Sequence, residues 1–258
     1  MPVKTDPDQE EQQEDELQGQ MSFLDHLEEL RKRIIYVLIA VTLTFLACWT
    51  FAGDLFQIVS RPIAQAGIQL NMMNPTEGFN LQLKMALVAA IFLASPFIMA
   101  QVWLFIAPGL YKHERRYAVP FIVLSSVLFV TGGLFGYFIA FPFALLFLLQ
   151  MGRDMGLNLV INASYYYDIF IAVELGLGVV FEIPAVIFVL SRIGLVDGWF
   201  LLKHTKYAIL LAFVVAAVIT PSGDIPNLMI MAVPMVGLYL LGVVVAFVFG
   251  KKRRKTDD

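Results

Sequence analysis

Charge and cysteine are both scarce in this chain of 258 residues. The one cysteine, Cys48, lies inside an apolar run and excludes an intramolecular disulfide. Soluble globular domains carry about 25% charged and roughly 45–50% apolar residues. Here 15% of the residues are charged and 59% are hydrophobic. The composition therefore excludes a water-soluble domain and indicates a protein that crosses a membrane several times.

Catalytic motifs are missing as well. His26, His113 and His204 all flank apolar segments, so no histidine can ligate haem within a span. The sequence has no His-Glu-x-x-His, no Gly-x-Ser-x-Gly and no Walker-type phosphate loop. We therefore predict that the protein is not an enzyme, holds no metal or cofactor and does not bind nucleic acid.

What the chain has instead is six apolar segments, at about 34–52, 83–107, 118–149, 169–193, 207–220 and 228–250. A spanning helix needs about 20 mostly apolar residues to cross roughly 30 Å of hydrocarbon. The third segment is too long for a perpendicular span and contains glycines and Pro142, which predicts tilt or a kink. The fifth is short and predicts a thinned bilayer beside it. The predicted fold is an all-α integral membrane protein with six transmembrane helices.

Basic residues are segregated to one side of these spans. The N-terminal region, the second and fourth connections and the C-terminal tail hold 15 of the 18 Lys and Arg residues. The positive-inside rule therefore places both termini in the cytoplasm. We expect residues 1–20 to be a disordered acidic tail, 21–250 to be a single six-helix domain, and 251–258 to be a basic tail.

Short patterns predict structure around the spans. Residues 22–33 have the spacing of an amphipathic helix that lies along the membrane surface before turning into the first span. In the loop 53–82 a second amphipathic helix is expected, interrupted at Pro62. The three tyrosines at 165–167 suit the interfacial aromatic belt, and Lys84 and Asp224 suit anchors at the membrane edge.

Two carboxylates lie inside the fourth apolar segment. Glu182 is near its middle, and Glu174 lies eight positions earlier, about 12 Å along a helix and about 80° around it. An ionisable residue at this depth is by default a functional-site hypothesis. The structural alternative is a glutamic acid hydrogen-bonded to a neighbouring helix. We favour function for Glu182 and the structural alternative for Glu174.

Two further carboxylates, Glu29 and Glu114, lie among basic residues on the cytoplasmic side. Glu29 and Arg33 have the i,i+4 spacing of an ordinary pair on a helix surface, worth a few tenths of a kcal/mol. The loop around Glu114 can equally be a basic anchor. Spacing alone favours these structural interpretations over a binding site.

The order of several short motifs resembles the TatC family, the multi-spanning receptor subunits of twin-arginine protein translocases. The similarity runs from Phe23 to about Ala246. It rests on His26-Leu-Glu-Glu-Leu-Arg-Lys-Arg33, Ser95-Pro96, Gln101-Val-Trp-Leu-Phe-Ile-Ala-Pro108, Leu110 with Lys112-His-Glu-Arg-Arg116, Phe181-Glu-Ile-Pro184, Thr220-Pro221 with Asp224, and Ala232-Val-Pro234.

The resemblance implies that Glu29 and Glu114 recognise the paired arginines of a signal peptide at the cytoplasmic face, with His26, Arg31 and Phe105 shaping the site. Carboxylates accept guanidinium bidentately, so two of them held apart would select arginine over lysine.

The resemblance also implies that Glu182 contacts single-span TatA- and TatB-type subunits, with several copies of the chain in one complex. That complex would export folded proteins across the bacterial cytoplasmic membrane, driven by the proton-motive force. Glu174 and Asp224 are further candidates to which the resemblance assigns no role. Many relatives have a glutamate where this chain has Leu240, so a role resting on that residue is in doubt here.

A hypothesis from a different functional class, a membrane transporter, stays open at this point. Glu174 and Glu182 would form a proton relay in a proton-coupled transporter of a small solute. Such folds usually show internal repeats and broken helices around a midplane site, and the sequence shows no repeat. A purely structural membrane scaffold is the third reading.

Overall fold

A computed structural model describes residues 23–106, 118–156, 160–220 and 224–250. Five of its helical stretches are long and apolar enough to span a membrane, namely Asp25–Trp49, Glu77–Ile106, Ala118–Asp154, Ala163–Ile193 and Ile225–Phe249. The apolar helix Thr205–Ile219 is shorter. The predicted all-α architecture, with five long spans and a short fifth one, is confirmed. The predicted tails at 1–20 and 251–258 lie outside the described residues.

In chain order the elements are α1 (Phe23–Trp49), α2 (Ala52–Gln65), β1 (Leu70–Asn71), α3 (Glu77–Ile106), α4 (Ala118–Phe135), a π-helical turn (Gly136–Ala140), α5 (Phe141–Asp154), β2 (Ile161–Asn162), α6 (Ala163–Phe181), α7 (Ile183–Ile193), α8 (Gly198–Lys203), α9 (Thr205–Ile219) and α10 (Ile225–Phe249). The spans run up and down, so the bundle has two ends. We call the end that carries α2, β1 and β2 the strand end. The other, where α1 begins and α3 ends, is the Glu29 end.

The first helix is continuous from Phe23 to Trp49. The predicted surface helix and the first span are therefore one helix, and the expected turn between them was wrong. The helix continues without a break because this stretch contains no glycine or proline. α1 packs mainly along α3, and no residue of its most apolar window is buried inside the chain.

The third and fourth spans are irregular in different ways. The third contains the π-helical turn at Gly136–Ala140, so its irregularity lies next to the glycines and Pro142 from which a tilt or kink was predicted. The fourth is broken at Glu182, between α6 and α7. Pro184 has no N–H for the carbonyl of Val180, which favours a break at this point. The sequence reasoning had treated this span as one uninterrupted helix.

At the strand end, α2 continues through Pro62 to Gln65, so the predicted interruption at this proline was wrong. A proline inside a helix leaves the carbonyl four residues earlier without its donor. Here that carbonyl belongs to Ile58, and the Tyr137 hydroxyl donates to it at 2.9 Å. A side chain from the third span thus supplies the hydrogen bond that Pro62 cannot make.

The tyrosines at 165–167 have divided roles. Tyr165 is 65% exposed and fits the predicted aromatic belt, whereas Tyr166 and Tyr167 are buried, which corrects that prediction for these two. The Tyr166 hydroxyl donates to the Val59 carbonyl at 2.8 Å, and the Tyr167 hydroxyl donates to the Phe56 carbonyl at 2.8 Å. Both side chains therefore fasten the first turns of α6 to the backbone of α2.

The core lies around the fourth span, which is the most buried of the five long ones. Val173 and Leu177 of α6 are completely buried, in one cluster with residues from the second, third and sixth spans. The short helix α9, in contrast, buries only Ala216 among its described residues. The fourth span is therefore the axis of the bundle, while α1 and α9 lie at its periphery.

Candidate functional site

The Glu29 end brings together residues of α1 and α3. His26, Glu29 and Arg33 are spaced by three and four residues and share one face of α1. That face meets the last turns of α3. The ring of His26 stacks on the ring of Phe105, with centroids 4.4 Å apart and planes 23° from parallel. The stack fixes the start of α1 against the end of α3.

One turn further along, Glu29 is held in a short polar chain. Arg33 Nε donates to Glu29 Oε1 at 2.7 Å, and Arg33 Nη1 donates to Gln101 Oε1 at 3.1 Å. The side chains of Glu29 and Arg33 are only about one-fifth exposed, at 20% and 21%. The ordinary i,i+4 pair expected from spacing is thus present, and Gln101 ties it to α3. Sequence reasoning had not assigned Gln101 a role.

The remaining predicted members of the peptide site are placed differently. Arg31 lies about 200° around α1 from Glu29 and lines a separate shallow surface with Glu28, Lys32 and Tyr36. Glu114 lies outside the described residues. The structure therefore brings Glu29, His26 and Phe105 together and puts Arg31 on the other side of the helix.

Glu182 occupies the break in the fourth span. It is the last residue before α7, and Val186 N–H donates to its carbonyl at 2.9 Å. Its side chain lines an apolar depression of about 430 Å³ between the second, third and fourth spans, with Val102, Phe121 and Val186 among the walls. The Ser125 hydroxyl is close enough to interact with the carboxyl. Glu182 Oε1 and Ser125 Oγ are nevertheless both buried without a geometrically acceptable hydrogen bond.

Glu174 lies in a different depression, nearer the strand end. The residue is 4% exposed, and its Oε1 atom is buried with no hydrogen-bond partner. Gly133 and Gly136 leave room for the carboxyl, since a β-carbon on Gly136 would stand 2.8 Å from Glu174 Oε1. The two intramembrane glutamates thus belong to separate sites, as their spacing along a helix indicated.

Asp224 and Lys84 have local structural contacts. Asp224 caps α10, because its Oδ1 atom accepts from the N–H of Asn227 at 2.8 Å. Lys84 pairs with Asp168 at 2.5 Å and so joins the second span to the fourth at the strand end. Asp224 lies at a helix end and Lys84 about two turns inside α3, and each has a named partner in the chain.

Glu77 is a polar centre that sequence reasoning missed. It is 9% exposed at the start of α3, and its carboxylate accepts from the Met73 N–H and the Asn74 side chain. The Asn162 side chain donates to the same carboxylate at 3.2 Å, and its oxygen caps α6 by accepting from Tyr165 N–H. One carboxylate therefore ties the segment before α3 to the segment before α6 at the strand end. The available signal was an acidic residue opening a long apolar segment, where it also favours the helix dipole.

The described residues contain no group of three or more His, Cys, Asp or Glu side chains that could hold a metal ion. The described residues instead offer carboxyl groups that can bind polar partners. One is a partly buried carboxylate beside an arginine at the Glu29 end, and two lie in apolar depressions deeper in the bundle.

Comparison with known proteins places the chain among protein translocase components. The family model described as Sec-independent protein translocase protein (TatC) matches residues 25–234. A TatC of Koribacter versatilis is 46% identical over 245 residues, which cover 92% of this chain and 90% of the relative. A TatC of Helicobacter pylori is 39% identical over 86% of this chain and 87% of its own length.

A solved structure agrees with these sequence matches. The crystal structure of the twin-arginine translocase receptor TatC superposes with a TM-score of 0.75 and 34% sequence identity, covering 86% of this chain and 97% of the solved one. The transporter reading finds no support in these relatives. The chain belongs to the TatC family of Sec-independent protein translocase proteins.

Proposed function

We propose that this protein is the receptor subunit of a twin-arginine translocase and that Glu29 is an acceptor for an arginine of the signal peptide. The observation that carries the proposal is the position of the Glu29 carboxylate, partly buried at the end of the bundle and paired with Arg33, which in turn donates to Gln101. A carboxylate that already accepts one guanidinium has the geometry to accept another. Glu114 is proposed as the second acceptor on the strength of the family resemblance alone.

The energies limit what this site does by itself. Hydrogen bonds to charged groups contribute about 1.5–3 kcal/mol each, whereas micromolar affinity needs about 8 kcal/mol. Two arginine contacts therefore supply less binding free energy than micromolar affinity needs. Competition from Arg33 for the Glu29 carboxylate lowers their contribution further. The remainder would come from the apolar part of the signal peptide against the apolar surface of the spans.

Orientation and partners form the second part of the proposal. The distribution of Lys and Arg favours a cytoplasmic Glu29 end and an external strand end in the bacterial cytoplasmic membrane. Glu182 is proposed to contact a spanning helix of TatA- or TatB-type subunits, because it is the acidic member of an otherwise apolar depression among the spans. Export of folded cargo would then use the proton-motive force, with the chain itself carrying out no chemical turnover.

The receptor proposal is tested by photo-crosslinking the purified full chain, in nanodiscs, to a signal peptide bearing Arg-Arg. The peptide is then replaced by its Lys-Lys version, and the chain by Glu29→Gln and by Glu114→Gln. We expect each change to lower labelling about tenfold or more, because each removes a charge-assisted hydrogen bond.

The matched control is Glu28→Gln. Glu28 is adjacent to Glu29 but lines the surface that holds Arg31, so its neutralisation should leave labelling unchanged. Equal labelling by the Arg-Arg and Lys-Lys peptides, or by the wild-type chain and both acceptor variants, would refute the proposed receptor site.

The role of Glu182 is tested separately with Glu182→Leu. We expect the variant to bind the Arg-Arg peptide normally but to lose co-purification with the single-span subunits. Val186→Leu, in the same depression and 53% exposed, is the control that keeps the carboxyl. Loss of peptide labelling in Glu182→Leu with intact subunit assembly would reverse the assignment.

A further inference from the structure

A second intramembrane depression lies around Glu174, and the family resemblance assigns it no role. It has a volume of about 400 Å³ and is bounded by the second, third and fourth spans, with α2 closing it at the strand end. Its walls are apolar and include Val88, Phe92, Val130, Leu134 and Phe138. Leu134 and Phe138 are 52% and 67% exposed, so the depression opens towards the surrounding lipid. We call it the Glu174 groove.

The groove is distinct from the depression around Glu182. Phe92 lines the former and Phe129 the latter, and their rings are in contact with centroids 4.9 Å apart. This aromatic pair lies between the two depressions. An occupant of the Glu174 groove therefore meets Glu174 and not Glu182.

Two described polar side chains, Tyr137 and Glu174, line the groove, and of the two only Glu174 has a buried oxygen without a hydrogen-bond partner. The Tyr137 hydroxyl donates to the Ile58 carbonyl. Glu174 Oε1 is buried without a partner near Gly136, and Glu174 Oε2 stands 3.2 Å from the position of a β-carbon on Gly133, itself a groove residue. The groove thus offers an unsatisfied carboxyl on an apolar wall.

The depth of this carboxyl selects the occupant. Glu174 lies six residues beyond Asp168, about 9 Å further along the helix into the bundle, and Asp168 pairs with Lys84 at the strand end. At that depth lipid acyl chains offer no hydrogen-bond donor, and headgroup donors remain at the interface. A second helix can present both an apolar face to the walls and a side-chain amide or hydroxyl to the carboxyl.

We propose that the Glu174 groove binds an apolar spanning helix of a partner chain, which donates a side-chain hydrogen bond to Glu174 and ends beneath α2. This proposal depends on the proposed function in one respect, namely that the partner chain belongs to the translocase assembly. It adds a second intramembrane contact to that at Glu182, on the other side of the Phe92–Phe129 pair.

The experiment uses the full chain in nanodiscs with a defined probe. The probe is a spanning Leu-Ala host peptide with one Asn about a third of the way along and a photoreactive leucine beside it; the matched peptide has Leu in place of Asn. Labelled residues of the chain are identified by mass spectrometry. We expect the Asn peptide to label Val130 and Leu134 about three- to thirtyfold more than the Leu peptide, because hydrogen bonds between spanning helices contribute about 0.6–2 kcal/mol each.

Variants at the groove make the result specific. Glu174→Met, which keeps the length of the side chain but has no oxygen, should abolish the advantage of the Asn peptide. Glu174→Gln still has an acceptor oxygen and should preserve it. Leu134→Trp should block labelling by filling the groove, whereas Val127→Trp, on the same helix and 57% exposed outside the groove, should not.

Three results would overturn the proposal: equal labelling by the Asn and Leu peptides, an undiminished Asn advantage in Glu174→Met, or labelling of the groove by a photoreactive phosphatidylcholine that the Asn peptide fails to displace. Arg-Arg signal-peptide labelling is measured on the same samples. Its failure would count against the receptor function, while the Asn advantage decides the Glu174 groove separately.

Discussion

The two ends of the bundle are built in contrasting ways. At the strand end, hydroxyls of Tyr137, Tyr166 and Tyr167 hold the backbone of α2, and Glu77 joins two loops through Asn162. The strands pair in parallel, Leu70 with Ile161 and Asn71 with Asn162. These contacts link segments about 80 to 110 residues apart in the chain, and most use buried or partly buried groups.

At the Glu29 end, α1 meets α3 through partly exposed polar groups and one ring stack. Arg33 pairs with Glu29 and donates to Gln101, and His26 stacks on Phe105. The charged groups there are partly exposed and can exchange partners. The comparison suggests a division of labour, in which the strand end stabilises the fold while the Glu29 end keeps a carboxylate available. Changes at the two ends should therefore separate stability from peptide binding.

The largest expected effect is on stability, from Glu77→Ala. The change leaves donors of Met73, Asn74 and Asn162 without their acceptor, and we expect a loss of about 3 kcal/mol in unfolding free energy. Steric trapping in bicelles measures it. Glu77→Gln keeps an acceptor oxygen and should lose less than half as much. Signal-peptide labelling should not change in the surviving folded fraction; a loss there would contradict the separation of the two ends.

Tyr166→Phe should have the next largest effect. It removes one buried hydroxyl that donates to the Val59 carbonyl, with an expected cost of about 1–1.5 kcal/mol. The measurement is the same unfolding experiment. Tyr165→Phe is the matched control, because the neighbouring ring is 65% exposed and its change should be neutral. Equal effects of the two substitutions would show that the α2 contacts do not stabilise the strand end.

Lys84→Met tests an exposed contact at the same end. The ion pair with Asp168 has side chains 42% and 52% exposed, and pairs of this kind contribute about 0.2–1 kcal/mol. We expect a loss in that range at low salt and almost none at high salt, because exposed charges are screened. A salt-independent loss would indicate that the lysine stabilises through its aliphatic stem instead.

The smallest expected effect is a gain in binding from Arg33→Gln. The Glu29 carboxylate would no longer be shared with Arg33, and removing a competitor worth about 0.3–0.5 kcal/mol should raise affinity for the Arg-Arg peptide about twofold. Fluorescence anisotropy with a labelled peptide measures it, with Lys32→Gln as the control on the other surface of α1. A tenfold fall in affinity would mean that Arg33 positions the carboxylate instead of competing for it.

Predictions from the sequence were most successful for features that depend only on the pattern of residue types along the chain. The six segments, the short α9 and the irregular third span follow from length, hydropathy and glycine content, because a lipid environment admits few alternatives to helices. Such predictions failed at local details that depend on a partner from elsewhere in the chain. Pro62 is tolerated because Tyr137 replaces the missing donor, and Tyr166 is buried because α2 covers it.

The candidate sites divide along the same line. Glu29, Glu114 and Glu182 were singled out from residue type, location and family resemblance, and the placement of the first and last is compatible with the roles proposed here. Arg31 is two residues from Glu29, so the helical period alone puts it on another face of α1. That Gln101 joins the Glu29–Arg33 pair and that Glu77 is a buried acceptor could not have been predicted. Each depends on which faces of distant helices meet.

The sequence by itself determined that this protein is a helical membrane protein with six spans, and its motifs predicted the family to which it belongs. Hydrophobic length and charge bias are properties of the chain, so no folding is needed to read them. Only the tertiary structure decided which polar groups are satisfied. It paired the tyrosines of α6 with α2 and left a carboxyl of Glu174 without a partner on an apolar wall. Hydrogen-bond satisfaction depends on contacts between residues far apart in sequence, and packing alone supplies them.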